Sequence, residues 1–173
     1  MFKTIVVAVD GSAHAARAAK TAASLAVRLK ARLVLVHVLM HGATAQDVRA
    51  VADVRRLPKA LRDELDALEM PVAAAAMGAG FITVPVPAPV LKAVGQQILD
   101  RAKGIAGKAR ARRVTAVIVD GDPAEAILKR ARREKADLVV VGSRGLGTIR
   151  ELVLGSVSHK VTQLAKMPCL IVK

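Results

Sequence analysis

An open α/β sheet of five strands, alternating with four helices, is the fold this chain predicts. Two observations carry that expectation. Five short runs are apolar and β-branched with no polar alternation, the pattern of strands covered on both faces. Between them lie longer stretches in which Ala, Leu, Ile and Val recur at helical spacing. Strands and helices that alternate in this way build a layered sheet with a single core. The chain has 173 residues, the size of one domain able to bury such a core, with an extended insertion at about 41–91.

The first strand, residues 3–9, reads Lys-Thr-Ile-Val-Val-Ala-Val and ends in Asp10-Gly11-Ser12. A helix follows, with Ala15, Ala18, Ala19, Ala22, Leu25, Ala26 and Leu29 on one face and Ser12 as its N-cap. Residues 32–39 form the second strand, which implies a parallel pair joined by a right-handed crossover. Residues 41–91 are the least regular part. Thr44-x-x-Asp47 has the form of a capping box for a short helix. Pro58 then interrupts, and suits the first turn of a second helix carrying Leu61, Leu65 and Leu68.

Residues 70–91 hold no charged side chain, which by length alone would suit a membrane span. Pro71, Pro85, Pro87, Pro89, Gly78 and Gly80 argue instead for an Ala/Gly/Pro loop with an extended, proline-rich end. A helix is expected over 92–112, with Ile98, Ala102, Ile105, Ala106 and Ala109 inward despite Gly95, Gly104 and Gly107. The third strand is 114–119. Gly121-Asp122-Pro123 opens the next helix, whose buried side holds Ile127, Leu128 and Ala131. The run Ala136-Asp137-Leu138-Val139-Val140-Val141 is the fourth strand. A helix over 156–166 follows, and Cys169-Leu170-Ile171-Val172 is the fifth strand.

Composition narrows the function. The single cysteine excludes an intramolecular disulfide framework and fits a reducing compartment. Met1-Phe2-Lys3-Thr4 runs into the first strand with no signal-peptide layout, so the expectation is a cytoplasmic protein. The formal charge is +14, and half of that excess falls between Arg101 and Lys135. With two phenylalanines and neither tyrosine nor tryptophan, the chain lacks a base-stacking platform. No specific nucleic-acid recognition is expected, only a weak attraction to anionic surfaces.

The chemistry concentrates after the fourth strand, in Gly142-Ser143-Arg144-Gly145-Leu146-Gly147-Thr148 and then Gly155-Ser156-Val157-Ser158. These glycines connect a strand to a helix, and Gly155-Ser156 stands at the helix start. Backbone N–H groups there lack intrahelical partners and favour an anion. Ser156 and Ser158 add hydroxyls. The stretch is not a P-loop, because no Gly-Lys-Ser/Thr follows at the required distance. Nor is it a dinucleotide fingerprint, since Arg150 stands where the third glycine should fall. If strands two and three lie on one side of strand one, and four and five on the other, strand order reverses between one and four. Asp10 and Gly142 then flank the crevice where such sheets bind ligands. Asp10 has an alternative use as a cap of the first helix.

The spacing Gly-x2-Gly-x9-Gly-Ser, met by Gly142, Gly145, Gly155 and Ser156, resembles that of the ATP-binding universal stress proteins. The resemblance covers the first two strands with their helix, and residues 92 to 173. It implies a Rossmann-like sheet, akin to the adenine nucleotide alpha hydrolases, in the order 3-2-1-4-5 with helices on both faces. It also implies ATP, with Mg2+, as ligand. Asp10 and the backbone of Val38 would hold the adenosine end and Gly142 would lie against the ribose. Gly145, Gly155, Ser156 and Ser158 would hold the phosphates; Arg144 and Lys160 are candidate electrostatic helpers that the motif itself does not specify. The family's habit of pairing through the last strand implies a homodimer across Cys169, Leu170, Ile171 and Val172, an apolar edge that needs covering.

No nucleophile–base pair, metal-ligand cluster or P-loop lysine is visible. His14, His37, His41 and His159 are scattered and read as surface or structural residues. ATP turnover is therefore expected to be slow or absent. The favoured reading is a nucleotide-responsive signalling or stress-resistance module. A dimeric interaction protein that binds no nucleotide, and an enzyme of a related nucleotide-handling family, stand as alternatives.

Overall fold

The computed structural model describes residues 2–68, 85–146 and 154–173. One parallel sheet contains β1 (Thr4–Ala8), β2 (Arg32–Val38), β3 (Val114–Val119), β4 (Leu138–Gly142) and β5 (Cys169–Val172), in the order β3-β2-β1-β4-β5. The expected order holds. The helices are α1 (Ala13–Leu29), α2 (Ala45–Val51), α3 (Lys59–Ala67), α4 (Ala88–Lys108), α5 (Pro123–Arg133) and α6 (Ser156–Leu164), with a 3-10 turn at Val54–Arg56.

Side chains alternate across a strand, and that alternation divides the core in two. Ile5, Val7, Leu33, Leu35, Leu138 and Val140 face α1 and α4. Val6, Val34, Val36, Val139 and Val141 face Ile127, Leu128 and Ala131 of α5 and Val161 of α6. Fully burying one such aliphatic side chain is worth about 1.5–3 kcal/mol, so β1, β2 and β4 are the anchored centre of the sheet. The edge strands are only half-buried along their length, except for an exposed Thr115.

Local chemistry sets the helix ends. Ser12 caps α1 by accepting the Ala15 N–H at 3.1 Å, and Thr44 with Asp47 forms the expected capping box of α2. Asp122 caps α5, with proline just inside. Pro58 stands at the N-cap of α3, one position before the first turn.

Two expectations change. α4 begins at Ala88 rather than 92, with Pro87 as cap and Pro89 in the first turn. Proline's missing N–H costs nothing there, so the helix absorbs Val90 and Leu91, both buried, from the stretch read as extended. α4 then stops at Lys108, because Arg110 turns left-handed at φ 64°. Gly95 is also more than tolerated: a Cβ there would lie 2.7 Å from Cδ2 of the buried His37 ring. The loop reading of 70–84, and Gly147 of the glycine run, fall outside the described residues. Among the described residues no helix is long and apolar enough to cross a membrane.

Candidate functional site

β1 and β4 are neighbours, but the chain leaves them in opposite directions, so a crevice opens above their carboxyl ends. The turn from β1 into α1 supplies one wall. The connection from β4 towards α6 supplies the other. A cavity of about 560 Å³ lies between them, and Asp10, Val38, Gly142, Gly145, Gly155, Ser156 and Ser158 all line it. Residues more than a hundred positions apart in sequence thus share one space.

Asp10 folds over its own turn. One carboxylate oxygen accepts the Ser12 N–H at 2.9 Å, while Gly11 takes φ 90° to let the chain reverse. Capping α1 falls to Ser12, so the alternative use of Asp10 is not needed. The other oxygen faces Gly145, where a Cβ would come within 2.5 Å of it. Gly145 lacks a side chain because the Asp10 carboxylate occupies that space.

The remaining glycines have different causes. A Cβ on Gly142 would lie 2.9 Å from the His14 backbone carbon and 3.0 Å from the Ala15 nitrogen. Its missing side chain is explained by the close approach of α1 to β4, while its backbone lines the cavity. Gly155 donates its N–H to the Ser143 carbonyl at 2.7 Å, which closes the loop back on β4. The first bond inside α6 runs from His159 N–H to Gly155 O at 2.9 Å. The N–H groups of Ser156, Val157 and Ser158 precede it and stand at the positive end of the helix. The buried Ser158 hydroxyl donates to the Gly142 carbonyl at 2.6 Å and ties α6 to the end of β4.

Of the two expected electrostatic helpers, Arg144 lines the cavity and Lys160 does not. Lys160 reaches Asp122 at 3.1 Å and Glu125 at 3.0 Å on α5. These bonds, Glu125 first, hold the Lys160 pKa above its ordinary value. The Asp122 carboxyl is held below its own, by the Glu125 N–H and then by Lys160. The correction has a simple cause: the first turns of α5 and α6 are adjacent, and the lysine finds carboxylates there.

The histidines separate. His37 is 1% exposed, and its Nδ1 lies 2.8 Å from the Val9 carbonyl, so that nitrogen carries the proton and donates. Burial lowers its pKa, only partly opposed by the Val9 carbonyl and Asp10. The ring braces the backbone one residue before Asp10. Burial, and then Arg17 and Arg144, lower the pKa of His14. His41 sits on the cavity rim, 2.5 Å from Asp120.

His41, Gly42, Ala43 and Asp47 also line the cavity, although none was a candidate. Gly42, four residues past the end of β2 and just before the Thr44–Asp47 capping box, was the available signal, and it takes φ 82°. Apolar wall comes from Ala8, Val36, Ile127 and Val141. No group of three or more His, Cys, Asp or Glu among the described residues could hold a metal ion.

Comparison with known proteins bears on this geometry. The sequence pattern of the universal stress protein family matches residues 1–173. A universal stress protein of Thermus aquaticus, from the QAH/OAS sulfhydrylase 3' region, is 36% identical over 177 aligned residues, covering 100% of both chains. Universal stress protein YxiE of Bacillus subtilis is 32% identical over 173, again covering 100% of both. Among solved structures, a universal stress protein in complex with cAMP superposes with a TM-score of 0.61 at 27% identity, covering 99% of this chain and 97% of that one.

Proposed function

The chain belongs to the universal stress protein family, whose role is in the response to stress, and we propose that within it this protein is a nucleotide-responsive module that binds ATP. One observation carries the reading: the Asp10 turn, Gly145 and the α6 N-terminus all line one cavity at the strand-order reversal. The site fits an adenine nucleotide on three counts. Its volume falls within the range of about 300–1,000 Å³ usual for small-molecule sites. The free N–H groups at Ser156 to Ser158 suit phosphate, and bare glycine backbone admits close approach. Aliphatic side chains in the cavity lining suit a flat base. The relative that holds cAMP, at 27% identity, adds support for an adenine nucleotide.

In this reading Asp10 and the Val38 backbone hold the adenosine end and Gly142 backs the ribose. Gly145, Gly155, Ser156 and Ser158 hold the phosphates, with Arg144 supplying positive charge and Mg2+ accompanying the triphosphate. Ser158 contributes chiefly through its N–H, since its hydroxyl is engaged with Gly142. ATP is held rather than turned over.

Calorimetry on nucleotide-stripped protein tests this, with ATP and Mg2+ beside AMP, cAMP and GTP, and with Gly155→Val. A Cβ at Gly155 would already touch the Arg144 backbone at 3.4 Å, and valine's methyls would press the loop further. Saturable ATP binding, lost in the variant, is expected. Folded wild-type protein that binds no nucleotide would overturn the reading and leave an interaction protein of the same fold. Bound ATP should be recovered intact by chromatography; steady phosphate release would reject the non-catalytic part.

The same reading places a second copy on β5. One side of that strand pairs with β4, and Leu170, Ile171 and Val172 are each half-buried. Light scattering should show a dimer for the wild type and a smaller species for Ile171→Glu.

A further inference from the structure

The basic residues are not spread evenly over the molecule. In a parallel sheet every strand starts at one edge, and the helices that return to it end there too. At that edge Arg112 precedes β3, Lys30 precedes β2, Lys3 precedes β1, Lys135 precedes β4 and Lys166 precedes β5, all exposed. Taken in the order β3-β2-β1-β4-β5, this is a row with a cation before every strand, at a strand spacing of about 4.8 Å. Hydrogen bonds tie neighbouring starts together: Arg32 N–H to the Lys3 carbonyl at 2.8 Å, and the Arg113 guanidinium to the Lys30 carbonyl. Helix ends add a second rank on both sides, with Arg28 and Arg110 in one layer and Arg132 and Arg133 in the other.

Helix dipoles account for part of this, because cations suit helix C-termini. They do not account for Lys3, which no helix precedes among the described residues, or for Arg112, which lies beyond the left-handed turn that ends α4; Lys166 directly follows the C-cap of α6 and is a cation the dipole favours. Nor is the chain arranged for dipoles generally, since α1, α4 and α6 carry no acid in their first turns. Lys30, Arg110 and Lys135 adopt φ of 52°, 64° and 50°, the left-handed conformation in which glycine is the usual residue. At all three the chain keeps a long cation instead. The acidic neighbours are already engaged, Glu134 with Arg32 at 2.7 Å and with Arg130, Asp137 with the N–H groups of Lys3 and Thr4.

We propose that this edge binds a nucleic-acid phosphate backbone, without reading base sequence. Arginine is prominent on it, and the guanidinium fork matches phosphate oxygens. The absence of tyrosine and tryptophan removes base stacking but not backbone contact. A membrane fits less well. The large hydrophobic residues exposed among the described ones are Val27 and Leu164, on different helices, too little apolar surface to enter a headgroup layer. The edge lies opposite the cavity, so the two ligands do not compete.

The test is fluorescence anisotropy with full-length protein, a short labelled DNA duplex and a second duplex of shuffled sequence, over a salt series. Both duplexes should bind equally, and affinity should fall steeply with salt, each neutralised phosphate adding about 0.9 to the log–log slope. Replacing Arg112, Arg132 and Arg133 by glutamine should flatten that slope by about 2–3 and weaken binding ~10-fold or more. A control with Lys20→Gln, Arg55→Gln and Lys92→Gln has the same net charge and should bind within about twofold of wild type. Should the first variant unfold, Lys3→Gln with Lys166→Gln makes the same prediction with a smaller change in slope. Absence of binding at low salt, or equal weakening by the control, would overturn the proposal. So would capture by vesicles containing phosphatidylserine with none by the duplex.

Discussion

The two edges of this sheet are built by opposite means. At the carboxyl edge side chains are taken away: Gly142 makes room for α1, Gly145 for the Asp10 carboxylate, and Gly155 lies against the Arg144 backbone. At the amino edge long cations are kept even at Lys30, Arg110 and Lys135, where the backbone itself favours glycine. The parallel topology explains why one chain can do both. Helix N-termini gather at one edge, where N–H groups without intrahelical partners lie beside glycine backbone. Helix C-termini gather at the other, where cations are tolerated. A glycine at the first edge answers to packing, so replacing it is costly; a lysine at the second answers to charge, so replacing it is cheap in stability.

That contrast can be broken by unfolding experiments. Gly142→Val should cost about 3 kcal/mol in urea denaturation, because its Cβ meets backbone that cannot swing aside. A loss below about 1 kcal/mol would mean that α1 shifts freely and the packing argument fails. Gly95→Ala should cost about 2 kcal/mol through its clash with the buried His37 ring. Combining it with His37→Ala should recover part of that loss, a coupling of about 1 kcal/mol; strict additivity would show that the two do not meet.

The edges should also part in their response to acid. Burial lowers the His37 pKa below its ordinary 6.5, so the unfolded chain takes up a proton before the folded one does. Stability therefore falls as pH drops from about 6.5 towards the folded pKa, and His37→Leu should flatten that limb. At the amino edge the N–H groups of Lys3 and Thr4 hold the Asp137 carboxyl below its ordinary 3.8. Its contribution is present above that value and lost as pH falls through the folded pKa, so Asp137→Asn should leave the His37 limb unchanged and flatten only the more acidic one. Thermal unfolding across pH separates the two. The smallest effect belongs to Lys135→Gly, at φ 50°, which should stay within about 1 kcal/mol of wild type. A larger loss would give that lysine a structural task and weaken the contrast.

Much of this was legible in the sequence because it rests on local chemistry. The caps at Ser12, Thr44 and Asp122 depend on a side chain meeting N–H groups three residues on. The strands show as unbroken aliphatic runs because both faces of the sheet are covered. The glycine–serine spacing around β4 and α6 was likewise readable, and with it the cavity wall. The start of α4 was not, because proline in the first turn of a helix and proline in an extended segment look the same locally. The partners of Gly95, Gly142 and Lys160 were also hidden. His37, His14 and Glu125 meet them only where separate elements pack together, and nothing near them in the sequence marks the encounter. The sequence by itself determined most of the strands and helices and which glycines and serines meet at the crevice. Only the tertiary structure decided which glycines serve packing and which edge collects the cations. Both depend on distances between segments that the chain brings together after its local structure is made.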